Sequence, residues 1–200
     1  MALIRALFLD VGGVLMTNGW DHVLRRKTAE TFNIEYDEMD TRHQLIFDTY
    51  ETGKLTFDEY LRQIIFFKDR SFELKEIKSF IFNSVQPFEP MINYAKELKK
   101  QHGLKIGIVS NEGRELAVDR IQRFDLSSFV DFFIISSFVH YRKPDPDIFR
   151  LAIDVAQVPP TQTAYIDDRD LLIEVAKGLG LQGIHHKDIE TTQSALSLLL

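Results

Sequence analysis

The feature that most constrains the fold is an alternation of short apolar runs with longer stretches of helical spacing. Runs of strand length stand at Ala6 to Leu9, Lys105 to Val109, Phe132 to Ile135, Ala164 to Ile166 and Gln182 to Ile184. Between them, Met91 to Gln101, Ala117 to Phe124, Pro146 to Ala156 and Leu171 to Leu179 place apolar residues three and four apart, the period of one helix face. Gly178 and Gly180 end the last of these in the manner of a helix C-terminus. Continuous apolar strands alternating with amphipathic helices imply βαβ units and a parallel sheet covered on both faces.

The segment from Met16 to Pro87 breaks that alternation. It holds no convincing strand and reads as amphipathic helices near Trp20 to Phe32, Asp37 to Thr49, Thr56 to Phe67 and Glu73 to Val85. Thr56 and Glu59 have the spacing of a capping box, in which each side chain bonds the other's backbone N–H. The expected fold is therefore α/β, a Rossmann-like parallel sheet covered by helices on both faces, with a helical cap inserted after the first strand. Residues 1–15 and 88–200 would form the core and 16–87 the cap. The apolar opening from Met1 to Leu9 is interrupted by Arg5 and stopped by Asp10, so it reads as a buried strand rather than a signal or membrane segment. Leu196 to Leu200 reads either as a docked terminal helix or as an interface.

Composition narrows the function classes. The chain is 44% hydrophobic and 12% aromatic, enough to form a core, which argues against intrinsic disorder. It has no cysteine, which excludes disulfides, thiolate zinc sites and a cysteine nucleophile. With 24 basic and 30 acidic residues the net charge is −6, and no basic stripe suits a nucleic-acid backbone. The expectation is a cytoplasmic protein, a monomer or homodimer, with no nucleic-acid or membrane partner.

In an open α/β sheet, ligands bind beyond the carboxyl ends of the strands. Those ends carry Asp10-Val-Gly-Gly-Val-Leu15, Ser110-Asn111, Arg142-Lys143-Pro144-Asp145-Pro146 and Asp167-Asp168. Phosphoryl transfer needs this set of groups: an in-line nucleophile, a divalent cation and fixed donors around the transferred oxygens. Asp10 is a carboxylate able to form an aspartyl-phosphate. Asp167 and Asp168 are hard oxygen ligands suited to magnesium. Gly12 and Gly13 allow a tight turn whose N–H groups can face phosphate. Lys143 supplies compensating charge and Ser110 a hydrogen bond. Singly, these are ordinary turn formers, caps and solvated charges. Together, in order and each at a strand end, they point to one site.

This order of motifs resembles the haloacid dehalogenase-like hydrolase superfamily over nearly the whole chain. The insert looks like that family's small cap, and Tyr50 to Tyr60 is similar to the cap of its sugar-phosphate phosphatase branch. The resemblance implies a magnesium-dependent phosphatase for a small phosphorylated metabolite. Asp10, Lys143 and Ser110 would be catalytic. Gly12, Gly13, Ser110, Asn111 and Lys143 would bind phosphate, and Asp10, the Gly12 carbonyl, Asp168 and Asp167 would bind Mg2+.

Two positions depart from that family pattern. Most of its phosphatases carry an acid/base aspartate two residues after the nucleophile, where this chain has Gly12. Many carry Asn or Asp where this chain has Leu172, and Asp170 stands at a different offset. Asp21, His22 and His43 are candidate replacement acids, against an ordinary packing or surface reading for each. Dehalogenation of a 2-haloacid, and phosphate-ligand binding without efficient turnover, are the alternative functions. His140, His185 and His186 read as loop or structural residues, and Ile64 to Phe67 as cap core. Trp20 reads equally as pocket lining or packing, and Arg142, beside Lys143, as help in holding an anion or, more simply, as an exposed loop arginine.

Overall fold

The computed structural model describes residues 3–200. Met1 and Ala2 of the apolar opening lie outside the described residues. The strands are β1 (Ala6–Leu9), β2 (Lys105–Ser110), β3 (Phe132–Ile135), β4 (Thr163–Asp167) and β5 (Gln182–His185). They form one sheet in the order β3-β2-β1-β4-β5, every pair parallel. The central β1 is buried along its whole length, so the period of two decides only which layer each residue faces. Leu7 and Leu9 pack in one apolar cluster and Ala6 and Phe8 in the other.

One face is covered by α5 (Glu89–His102), α6 (Arg114–Arg123) and α10 (Ile189–Ser197), the other by α8 (Pro146–Ala156) and α9 (Asp170–Gly178), and the single turn α7 (Ser136–Val139) follows β3. The helix boundaries follow local chemistry. Pro90 stands in the first turn of α5 and Gly103 ends it at φ 64°, a left-handed conformation that glycine adopts without Cβ strain. Asp145 caps α8 by accepting from the Asp147 N–H at 2.9 Å, with Pro146 next. The Leu-rich end is a docked helix: Leu196 is fully buried in the core. Each large apolar side chain buried in these layers contributes about 1.5–3 kcal/mol.

Between β1 and α5 lie α1 (His22–Thr31), α2 (Tyr36–Glu51), α3 (Phe57–Ile64) and α4 (Leu74–Asn83). They bury a cluster of their own around Tyr50, Phe57, Tyr60, Ile64 and Ile81. Tyr50 and Tyr60 stack with ring centroids 4.3 Å apart. The Thr56–Glu59 capping box is formed. The third helix is shorter than its sequence pattern predicts, because the chain turns out of the helix at Ile65, whose carbonyl accepts from Arg70 Nε at 2.8 Å. Ile64 and Ile65 are buried in the cluster, as core residues.

Candidate active site

Parallel strands deliver their last residues to one edge, and there the sequence-predicted carboxylates and lysine meet. Lys143 Nζ lies 3.2 Å from Asp10 Oδ2 and 2.6 Å from Asp167 Oδ2. All three residues are buried. Asp167 also accepts from the Tyr165 hydroxyl through Oδ2, and its Oδ1 accepts from Arg169 N–H at 2.9 Å. Asp10 Oδ1 accepts from Val11 N–H at 2.8 Å. Asp10, Asp167 and Asp168 each offer an oxygen within 4.8 Å of the others.

Two carboxylates therefore share one ammonium, with the third, Asp168, close by. Burial pushes the pKa of Asp10 up, Lys143 opposes this, and the Asp167 charge adds to the rise. Asp168 is likewise raised, by burial and then by Asp167. Burial also disfavours the Asp167 anion, but the Lys143 charge and hydrogen bond hold it below the usual carboxylate value. Asp168 Oδ1 is buried with no hydrogen-bond partner. An orphaned anionic oxygen beside excess negative charge is what a divalent cation would satisfy.

Two expected phosphate-binding groups are already committed elsewhere. The Asn111 side chain donates to the Lys143 carbonyl at 2.8 Å and accepts from the Lys143 N–H at 2.7 Å, so its amide locks the lysine loop rather than facing a ligand. The Gly13 N–H donates to the Met16 carbonyl at 2.8 Å. Its glycine is required for another reason: φ is +75°, and a Cβ there would lie 2.2 Å from Asp168 Oδ2. At Gly12, a Cβ would lie 2.7 Å from Asn18 Oδ1. Asn18 fills the space beside Gly12 and draws the Asp168 pKa down against the effects of burial and Asp167. Ser110 is buried, close enough to Asp10 to draw its pKa down against the effect of burial.

Asp10, Ser110 and Lys143 open onto a cavity of about 290 Å³ between the sheet edge and α1–α2. A larger groove of about 780 Å³ runs past Leu24, Phe88 and Ile189 and contains none of the three. Trp20 serves both expected roles, since it lines the cavity and packs in the helical cluster. Leu172 lines the cavity too, as an apolar wall, while the Asp170 side chain is exposed.

Of the candidate acids, Asp21 caps α1 by accepting from Leu24 N–H, and His22 is exposed at the cavity rim. His43 is buried, with Nδ1 2.5 Å from the Tyr60 hydroxyl; burial and then the Arg25 charge push its pKa down to about 4. His185 and His186 point apart, to the Asp168 carbonyl and the Thr192 hydroxyl. His140 contacts the Thr52 carbonyl. Arg142 is not a free loop arginine, because it pairs with Glu51 and Asp48 of α2 at 2.7 Å each and so ties the lysine loop to the helical insert.

Sequence reasoning missed a buried ion pair on the cavity wall. Glu112 Oε1 lies 2.8 Å from Arg120 Nη1, and burial pushes the Glu112 pKa up to about 7 against the pull of that arginine. Its place directly after Ser110-Asn111 was the available signal.

Residues 4–180 match a family model described as haloacid dehalogenase-like hydrolase. The chain belongs to that family. Among curated relatives of this haloacid dehalogenase-like hydrolase, a phosphorylated carbohydrates phosphatase of Thermotoga maritima is 26% identical, over 91% of this chain and 84% of that protein. A D-ribitol-5-phosphate phosphatase of Bacteroides thetaiotaomicron is 24% identical over 99% of both. The fold of this chain matches an enzyme of the family from Bacteroides thetaiotaomicron, solved with magnesium and inorganic phosphate, at a TM-score of 0.77 and 21% identity, over 92% of this chain and 94% of that one. An L-2-haloacid dehalogenase of Xanthobacter autotrophicus matches at 0.65 and 18%, over 98% of this chain and 81% of that one.

Proposed function

We propose that this hydrolase is a magnesium-dependent phosphatase that cleaves a small phosphorylated metabolite of the sugar or polyol phosphate class through an aspartyl-phosphate on Asp10. The observation that carries the reading is the cluster of Asp10, Asp167 and Asp168, with Lys143 against the first two and the Asp168 Oδ1 orphan, beside an open cavity onto which Asp10 and Lys143 face. The two phosphatase relatives named above support it.

Asp10 attacks phosphorus, and the alcohol oxygen departs on the opposite side. Lys143 and Ser110 hold the phosphoryl oxygens, with Lys143 oriented by Asp167 and by the Asn111 clamp on its backbone. Asp10, the Gly12 carbonyl and Asp168 fit a magnesium ion by charge and donor type. When bound, the ion neutralises charge on the transferring group. Asp167, with both oxygens engaged, acts chiefly on Lys143. Segment 16–87 acts as the cap, its α2 joined to the core through Arg142, and limits the site to small substrates.

The test is phosphate release from a panel of sugar, polyol, nucleotide and acyl phosphates, with magnesium or with chelator, and with Asp10→Asn alongside. Release that needs magnesium and vanishes in Asp10→Asn is expected. Chloride release from 2-chloropropionate without magnesium would indicate dehalogenation instead. Saturable phosphate binding with no turnover above the Asp10→Asn background would indicate a binding protein.

A further inference from the structure

Breaking an alkyl phosphate ester leaves an alkoxide, a poor leaving group unless a proton reaches its oxygen as the bond breaks. Position 12 has no side chain, and the amide of Asn18 that fills the adjoining space carries no titratable proton. Any proton carrier must therefore come from elsewhere on the cavity wall. Besides Asp10, the acids and histidines there are Asp21, His22, His43, Glu51 and Glu112.

Four of them are poorly placed for the task. Asp21 is engaged in capping α1. His43 is turned to the Tyr60 hydroxyl within the helical cluster. Glu51 is gripped by Arg142 through Nε at 3.0 Å and Nη2 at 2.7 Å. His22 stands exposed on the rim.

Glu112 is paired with an arginine as well, but through one contact at 2.8 Å where Glu51 has two. It lies two residues beyond Ser110, on the core wall of the same cavity, and it is 6% exposed. Its backbone is fixed by a hydrogen bond from its N–H to Ser136 Oγ at 2.9 Å, and that hydroxyl donates in turn to the Glu51 carbonyl at 2.7 Å. Its carboxyl is held by Arg120, whose Nη2 donates to the Thr17 carbonyl at 3.3 Å and whose Nε is buried with no partner. The pair presses on Gly19, where a Cβ would lie 2.4 Å from Arg120 Nη2 and 3.3 Å from Glu112 Oε1. The carboxyl thus sits fixed where the sheet edge meets the start of the helical insert.

We propose that Glu112 is a catalytic residue that serves as acid and then base in both halves of the reaction, with Arg120 as its positioning residue. The proposal rests on the phosphatase reading. In the first half, the Asp10 oxygen bonds to phosphorus, the ester P–O bond breaks, and the Glu112 proton passes to the departing oxygen to give the neutral alcohol. In the second, the Glu112 carboxylate takes a proton from water. The water oxygen bonds to phosphorus, the Asp10–phosphorus bond breaks, and Asp10 and protonated Glu112 are restored. The sum is ester plus water to alcohol plus phosphate.

The charge environment agrees. Burial raises the Glu112 pKa to about 7; Arg120 works against that, while Asp10 at the end of β1, Glu51 of α2 and Asp119 of α6 add to it. Tyr50 of α2, Leu116 of α6 and the charged Arg25, Lys143 and Arg169 line the same cavity. A carboxyl that is half protonated near neutral pH is suited to both proton transfers.

The test compares wild type with Glu112→Gln on two probes: the alkyl phosphate turned over fastest in the panel above, and p-nitrophenyl phosphate, whose phenolate departs without a proton. Glu112→Gln should lower kcat/KM on the alkyl ester by about 10²–10⁴-fold. With p-nitrophenyl phosphate it should give a burst of about one nitrophenolate per enzyme followed by slow turnover, because Asp10 is still phosphorylated but its phosphate is released slowly. In wild type, kcat/KM on the alkyl ester should fall as pH rises through about 7, and Glu112→Gln should lose that limb. Should Glu112→Gln fail to fold with Arg120 left buried and unpaired, Glu112→Gln/Arg120→Met removes both charges and carries the same expectations. Wild-type kcat/KM in the variant, or equal losses on both esters with no burst, overturns the assignment of Glu112 alone. A wild type that releases phosphate from neither ester overturns the phosphatase reading itself.

Discussion

Acidification should weaken the helical insert through His43, and the only tryptophan in the chain stands next to it to report the effect. Trp20 Nε1 donates to the Tyr60 oxygen at 2.8 Å, and the Tyr60 hydroxyl, 2.5 Å from His43 Nδ1, can donate to that nitrogen. That arrangement requires neutral imidazole with Nδ1 as acceptor. Burial and the Arg25 charge disfavour the cation, and Asp40, which pairs with Arg25 at 2.9 Å, offsets only part of this. With a pKa of about 4 folded and 6.5 unfolded, the unfolded chain binds the proton more readily. The stabilisation is therefore complete above pH 6.5 and is lost as pH falls from there towards 4. In full it is roughly 3 kcal/mol, of which about 2 is lost between pH 7 and pH 5. His43 borders the cavity, and solvent screening there reduces the expected change to about 1 kcal/mol. Glu112 and Asp10, with raised values, act in the opposite direction, so the quantity to measure is a difference between proteins. Urea unfolding followed by Trp20 fluorescence, at pH 7 and pH 5, would be run on wild type and on His43→Asn, whose amide oxygen replaces Nδ1 as acceptor. Wild type should lose about 1 kcal/mol more than the variant over that interval. Equal losses in the two proteins would refute the reasoning.

Two further substitutions probe the carboxylate cluster and its neighbours. Lys143→Met leaves Asp10 and Asp167 buried without their ammonium and should cost about 3–5 kcal/mol in urea unfolding. Added magnesium should raise the melting temperature more in this variant than in wild type, because the cation restores positive charge. Gly12→Ala places a methyl against the tip of the Asn18 side chain, which can turn aside, and should cost about 1 kcal/mol or less. The melting temperature should recover in Gly12→Ala/Asn18→Gly, since the constraint at Gly12 is space and not backbone conformation.

Much of the architecture was legible because it is written in local periodicity. β1, β3 and α8 fall where their apolar spacing predicts, and the Thr56–Glu59 box needs only residues three apart. Asp10, Ser110, Lys143 and the Asp167-Asp168 pair were legible for a related reason: strand ends in a parallel sheet share one edge, so knowing the strands is nearly knowing the site. The uses of Asn111 and Gly13 were not legible. A side-chain amide or backbone N–H can serve a ligand or the fold equally well, and here Lys143 and Met16 take them.

The sequence by itself determined which segments must be strands or helices and which acidic residues stand at strand ends, since both follow from patterns a few residues long. Only the tertiary structure decided what each polar group faces. It set Arg142 against Glu51 and Asp48, more than ninety positions away in the chain. It also laid Asn18 over Gly12 and closed Glu112 onto Arg120 on the wall of the cavity that Asp10 faces. Those pairings depend on how the insert packs on the sheet edge, where burial makes an unpartnered polar group costly and so selects partners that no local pattern encodes.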